Sequence, residues 1–180
     1  EAHGFKTNNS RIILFNWCLL IHKGAYACQK VDNLVPGATY KLTANMLSRY
    51  AANKVTMEMD MLDADGNVVK NETLNVPFAA DLTTEAFELE ATLPSNCTAV
   101  VIKVTNAAES GGWCLVDDFA LTQITRGNPV GGEPEEPEEP EEFEPVVLDL
   151  INPSFEEPFT YGLTKGWTYP DWNATFISRV

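Results

Sequence analysis

Two stretches decide the fold: Thr39-Tyr-Lys-Leu-Thr-Ala-Asn-Met-Leu47 and Val55-Thr-Met-Glu-Met-Asp-Met-Leu62. Tyr40, Leu42, Ala44 and Met46 share one face of the first, and Val55, Met57, Met59 and Met61 share one face of the second. Side chains alternate across a strand, so this pattern predicts strands with one buried face each. Phe87-Glu-Leu-Glu-Ala-Thr-Leu93, Val100-Val-Ile-Lys-Val104 and Leu115-Val-Asp-Asp-Phe-Ala-Leu121 continue the series. Turn chemistry separates them at Val35-Pro36-Gly37, Asp63-Ala-Asp65-Gly66-Asn67, Leu93-Pro94-Ser95-Asn96 and Ser110-Gly111-Gly112. No segment carries a helical apolar stripe beyond one or two turns. Residues 1–125 therefore predict an all-β sandwich.

The character changes after Thr125. Residues 126–147 form a linker whose centre, Glu133-Pro134-Glu-Glu-Pro137-Glu-Glu-Pro140-Glu-Glu-Phe-Glu-Pro145, repeats Pro-Glu-Glu. Spaced prolines favour an extended polyproline II course, and like charges stretch it further, to a reach of roughly 70 Å. Residues 148–180 regain globular character: Leu148–Glu156 reads as a strand entering a turn, Gly166–Tyr169 as a second strand and Thr175–Val180 as a third. So short a piece cannot bury enough surface to fold alone.

The 180 residues carry 12 Lys+Arg against 26 Asp+Glu, a net charge of −14. Eight of the acids lie between Glu133 and Glu144, so the imbalance belongs mostly to the linker. With no basic stripe, nucleic acid and anionic membrane are excluded as partners. No apolar run approaches the length of a membrane span. The two histidines, His3 and His22, stand with no nucleophile and orienting acid, and neighbouring carboxylates such as Asp117 and Asp118 alternate across a strand. Catalysis is not expected.

Four sequons, at Asn8, Asn71, Asn96 and Asn173, are compatible with an extracellular or cell-surface chain and are its possible glycosylation sites. The four cysteines suit the same compartment. Cys18 and Cys28 flank a symmetric hairpin around His22-Lys23-Gly24, and Cys97 and Cys114 flank the loop 106–112, so Cys18–Cys28 and Cys97–Cys114 are the expected disulfides. Buried reduced thiols are the alternative.

Several segments resemble the jelly-roll β-sandwich of carbohydrate-binding modules. These are Asn152-Pro153-Ser154-Phe155-Glu156, Gly166-Trp167-Thr168, Gln29-Lys-Val-Asp-Asn-Leu34-Val-Pro36-Gly37-Ala-Thr-Tyr40-Lys-Leu42 and Trp113-Cys-Leu-Val-Asp117-Asp118-Phe119-Ala-Leu121. The order is rotated, because the family's opening motif stands here after the linker. The resemblance thus implies that 1–125 is a jelly roll lacking its first strands and that 148–180 holds those strands; the stiff spacer favours completion of a neighbouring subunit, with closure on its own chain or a tandem repeat as the alternatives. The expected function is an extracellular structural subunit of a filament or tandem array. Identical subunits join head-to-tail by strand donation. A glycan-binding module of a secreted modular protein is the alternative.

The resemblance further implies a structural Ca²⁺ held by Glu156 and Asp118 with backbone carbonyls. The Asp63–Asn67 stretch, which partly imitates a Ca²⁺ loop, reads instead as an Asp-Gly hairpin turn. Among aromatic residues able to stack on a sugar ring (Trp17, Tyr26, Tyr50, Trp113, Trp167, Tyr169 and Trp172), Tyr169 and Trp172 are the expected glycan contacts and Trp167 a packing residue.

Overall fold

The two deciding stretches become β3 (Thr39–Arg49) and β4 (Val55–Asp63), and they lie in different sheets whose inner faces meet. The structure, a computed structural model, describes residues 17–49, 54–77, 79, 83–109, 111–127, 143–151, 154 and 174–178. Of Trp17 and 174–178 it describes the backbone alone. The other strands are β1 (Trp17–His22), β2 (Ala25–Val31), β5 (Val68–Val76), β6 (Glu85–Thr92), β7 (Cys97–Asn106), β8 (Trp113–Gln123), β9 (Val146–Leu148) and β10 (Ala174–Ser178). One sheet has the order β10-β1-β8-β3-β6, with β9 also on β8; the other has the order β2-β7-β4-β5. Every pairing is antiparallel. The fold is an all-β sandwich.

The expected inward faces are the observed ones. Tyr40, Leu42, Ala44 and Met46 from one sheet and Val55, Met57, Met59 and Met61 from the other are all buried in a single core. Val100, Ile102 and Val104 of β7 join them. Tyr40 keeps its hydroxyl satisfied inside this core by accepting the Val35 N–H at 2.7 Å. Asn106, fully buried, braces the corner where the chain changes sheet. Its side-chain amide donates to the Ile21 carbonyl and accepts from the Ala108 N–H, while its own carbonyl accepts from the Gly24 N–H.

That corner overturns one disulfide. The His22-Lys23-Gly24 turn does not close a hairpin, because β1 belongs to the six-stranded sheet and β2 to the four-stranded one. Cys18 packs with Leu47 and Leu115 on the outer side of its sheet, while Cys28 looks outward from the other. The second pair fails by length. Cys97 starts β7 opposite Asp63, whereas Cys114 lies at the far end of the sandwich, opposite Ser48 and Ile21. Nine residues of strand between Cys97 and Asn106 span about 30 Å. All four cysteines stand as thiols. Burial pushes the Cys28, Cys97 and Cys114 thiols above their ordinary range, furthest at Cys114.

β8 departs from simple alternation. Cys114 and Val116 face the core, and so do Phe119 and Leu121. A register shift against β3 between Thr43 and Asn45 marks the extra residue, a bulge in which Asp118 takes φ +51°. Asp117 is buried, 1% exposed, and its Oδ1 accepts the Asp118 N–H at 2.9 Å. Beyond the bulge, Leu121, Thr122 and Gln123 pair with Leu148, Val147 and Val146, so the tail contributes β9 to the sheet. Leu148 and Leu150 pack on the core, and β10 lines the outer edge of β1. The tail thus begins its strand at Val146, two residues earlier than expected. The strand expected at 166–169 lies outside the described residues.

Gly127 fixes where the chain leaves the sandwich. It adopts φ +74°, and a Cβ there would stand 2.5 Å from the Ala38 nitrogen and 2.7 Å from the Pro36 carbonyl. Gly66, at φ +84° in the β4–β5 turn, faces open space. Both positions disfavour L side chains, by about 1–2 kcal/mol. Only Gly127→Ala adds a backbone collision, so chemical denaturation should show it clearly less stable than Gly66→Ala. Equal losses would mean that residue 127 is not packed against the 36–38 turn.

Candidate functional site

The methionines of β4 are separated by Thr56, Glu58 and Asp60, which must point to the opposite side of the four-stranded sheet. The pairing register turns these three into a lattice. Tyr26, Thr105, Thr56 and Asn75 form one row across the four strands. Cys28, Lys103, Glu58 and Thr73 form the next, and Lys30, Val101, Asp60 and Asn71 the third. Four strands at about 4.8 Å spacing and three rows two residues apart make a platform roughly 14 Å on each side.

The polar side chains of this platform hold one another. Lys103 Nζ sits 2.7 Å from Glu58 Oε2 and 3.4 Å from Asp60 Oδ2. Thr56 donates its hydroxyl to Glu58 Oε1 at 2.5 Å, Asn71 Nδ2 donates to Asp60 Oδ1 at 2.6 Å, and Thr73 donates to Asn71 Oδ1 at 2.6 Å. The three charged side chains are only 14–25% exposed, low for an outer sheet face. Burial pushes the Glu58 carboxyl up, but the Lys103 ammonium and the Thr56 and Thr105 hydroxyls outweigh it and hold Glu58 below its ordinary value. Lys103 is displaced upward: burial opposes its charge, but Glu58 and Asp60 prevail. Tyr26 stands at one corner, 36% exposed. The result is a rigid array of amides, hydroxyls and carboxylates with an aromatic ring beside it.

The residues singled out from sequence fall elsewhere. Asp118 is exposed on the outer face of the six-stranded sheet, where its Oδ2 accepts from Asn45 Nδ2 at 3.0 Å. Glu156, Tyr169, Trp172 and Trp167 lie outside the described residues, as do Asn8 and Asn173. With Asp117 buried, Asp118 is the one exposed carboxylate of β8. Among the described residues no cluster of three or more His, Cys, Asp or Glu is placed to hold a metal ion. A Ca²⁺ at Asp118 would therefore draw most of its six to eight oxygens from elsewhere.

The Asp63 turn is the expected hairpin. Asp63 Oδ1 accepts from the N–H groups of Asp65 and Asn67 and from the Asn67 side chain, which keep the carboxyl below its ordinary range. Trp113 packs on the Cys18–Leu47–Leu115 cluster. Asn71 is part of the platform, and Asn96 stands exposed in the turn before β7. The apolar half of the β4 alternation marks the core, and its polar half, Thr56, Glu58 and Asp60, is the sequence signal for the platform.

The fold has relatives of known structure. The carbohydrate-binding module titled PbXyn10C CBM, in its apo form, matches with TM-score 0.51 and 14% identity over 96% of this chain and 92% of its own. The module TmCBM61, in complex with β-1,4-galactotriose, matches with TM-score 0.36 and 18% identity over 59% of this chain and 70% of its own. The enzymatically active domain of bacteriophage CBA120 tailspike protein 4 matches with TM-score 0.44 and 19% identity. It covers 54% of this chain, which spans only 14% of the tailspike chain. No protein-family model and no curated protein matches. The fold is thus that of a carbohydrate-binding-module-like β-sandwich. Among the described residues no helix is long and apolar enough to cross a membrane.

Lys103→Met leaves Glu58 and Asp60 facing each other without their cation, and the cost should be about 1–3 kcal/mol in chemical denaturation. In the native chain Glu58 is depressed, so its contribution is present above its ordinary value of 4.5 and fades as pH falls below it. Glu58→Gln should flatten the acid limb of the stability profile, and NMR titration should show Glu58 rising in Lys103→Met. A Glu58 titration unchanged by that substitution would remove Lys103 as the cause.

Proposed function

We propose that this chain is a non-catalytic glycan-binding module of an extracellular protein, with the outward lattice of the four-stranded sheet as its binding surface. One observation carries the proposal: the lattice holds amides, hydroxyls and carboxylates at fixed spacing, with Tyr26 exposed at its corner. Sugars present hydroxyls around a ring with an apolar face, and they need fixed polar partners plus an aromatic surface. The likeness of fold to a carbohydrate-binding module supports the same reading.

The charge of the lattice selects the ligand class. Both cations of the lattice are already committed: Lys103 to Glu58 and Asp60, and Lys30 to Asp32 at 2.7 Å. An acidic sugar would have to displace a carboxylate from Lys103 or Lys30 to gain a cation, so the ligand is a neutral oligosaccharide. Tyr169 and Trp172 belong to the proposal as a second contact region on the tail. So does a structural Ca²⁺ held by Asp118 and Glu156, which would tie the tail to β8. Asn96 in its exposed turn is the better placed of the two described glycosylation sites, since Asn71 already donates to Asp60.

Filament formation from identical subunits has less support, for the likeness of fold favours a binding module.

Titration calorimetry with neutral oligosaccharides of several linkages should detect binding, and polygalacturonate should give none. Tyr26→Ala and Asp60→Ala should each weaken binding about tenfold, the effect of about 1.4 kcal/mol. Lys41→Ala, on the opposite sheet, should not. Loss of binding in Trp172→Ala alone, with Tyr26→Ala unaffected, would move the site to the tail. If the Ca²⁺ is present, chelation lowers the melting temperature and Asp118→Asn abolishes that sensitivity. Melting that is indifferent to chelator would remove the metal.

A further inference from the structure

The pairing of β9 with β8 sets two demands on the chain that conflict. Gln123 pairs with Val146 in antiparallel register, so the twenty-two residues between them must begin and end on adjacent strands, about 5 Å apart. The same residues include Pro134, Pro137, Pro140 and Pro145 and eight glutamates, a composition that favours extension. A flexible loop of this length would close at a cost that grows only as the logarithm of its length. A stiff and self-repelling one closes less readily, which lowers the effective concentration of the tail at its own docking site.

The docking site does not read the spacer at all. It consists of the β8 edge at Leu121–Gln123, the core surface under Leu148 and Leu150, and Gln29. Gln29 points inward from β2 and is 4% exposed. Its Nε2 donates to the Ile151 carbonyl at 2.9 Å and its Oε1 accepts the Ile151 N–H at 3.0 Å. A buried amide that grips the backbone in both directions acts as one more rung of sheet, without asking to which chain the segment belongs. Left without the segment, Gln29 and the β8 edge would be uncompensated, so the site favours being filled.

We propose that residues 146–151 are an exchangeable strand: the slot formed by β8 and Gln29 also accepts this segment from a second copy of the chain. The exchange frees the Pro/Glu spacer from bringing its own ends together and keeps every contact in the slot, the usual condition for swapping an identical element between protomers. It leaves the lattice uncovered, because β9 pairs within the other sheet and Gln29 reaches the segment from the buried, inner face of β2.

Thr122 and Val147 are register partners across β8 and β9, so cysteines placed there report who fills the slot. The full-length double variant Thr122→Cys/Val147→Cys, oxidised at low concentration, should give a cross-linked monomer and so verify the register. Thr122→Cys chains and Val147→Cys chains, mixed in denaturant and refolded together, should give a disulfide-linked heterodimer that rises with concentration. A Val69→Cys chain in place of Val147→Cys, together with the unmodified chain, measures the background. Replacing 133–145 by Gly/Ser of equal length should lower the heterodimer severalfold. No heterodimer above background, alongside a cross-linking double variant, would overturn the exchange. A double variant that fails to cross-link would overturn the slot itself.

Discussion

A strand edge inside a sandwich has to be satisfied along its whole length, and β8 meets this demand in halves. One side is covered by β3 throughout, apart from the bulge. On the other side β1 takes Trp113–Val116 and β9 takes Leu121–Gln123, with the Asp118 bulge between the two partners. The bulge re-aims the inward positions from Cys114 and Val116 to Phe119 and Leu121, and it sits where the partner changes. The tail is therefore part of the sheet rather than an appendage. Its Leu148 and Leu150 close the core, and its backbone satisfies both the β8 edge and the buried Gln29 amide.

β4 shows how one strand serves the fold and the proposed site together. Its odd positions from Val55 to Met61 supply four buried side chains to the core, and methionine's unbranched thioether fills irregular gaps there. Its even positions supply Thr56, Glu58 and Asp60 to the outer lattice. Because both sets share one backbone, the core rigidifies the lattice. A carboxylate fixed by Lys103 and hydroxyls loses little further freedom when a ligand hydroxyl approaches, so its hydrogen bonds count more fully toward affinity.

Much of this was legible in the sequence, and the misses have physical causes. Period-2 alternation fixes which side chains of β3, β4 and β7 face inward, whatever their neighbours, so those faces were readable directly. Whether consecutive strands share a sheet is not a local property. Lys23-Gly24 has the chemistry of a hairpin turn, yet the chain changes sheet there, and Asn106, more than eighty residues away, holds the corner. The disulfide at Cys18–Cys28 failed on that point. The lattice rests on pairings between β2, β7, β4 and β5 whose registers no single segment encodes. Alternating Thr, Glu and Asp between methionines was the available signal. The tail's strand character could be read, but Gln29 gave no hint in sequence of being the residue that grips it.

The lattice and β9 belong to different sheets, and that separation matters for what exchange would achieve. A neutral sugar held by a few hydrogen bonds and one tyrosine is a weak ligand, because hydroxyls lose water as they gain partners. Polysaccharides repeat, so two lattices joined through an exchanged strand could engage one chain at once, the second contact forming at the effective concentration set by the spacer. A long, stiff spacer is poor at returning a strand to its own module but good at holding two modules apart. Exchange leaves the lattice uncovered, since β9 adds to the sheet opposite the one carrying Glu58 and Asp60. The composition that opposes self-closure thus favours multivalent binding, and one physical property of the linker connects the architecture of the tail to the chemistry of the opposite face.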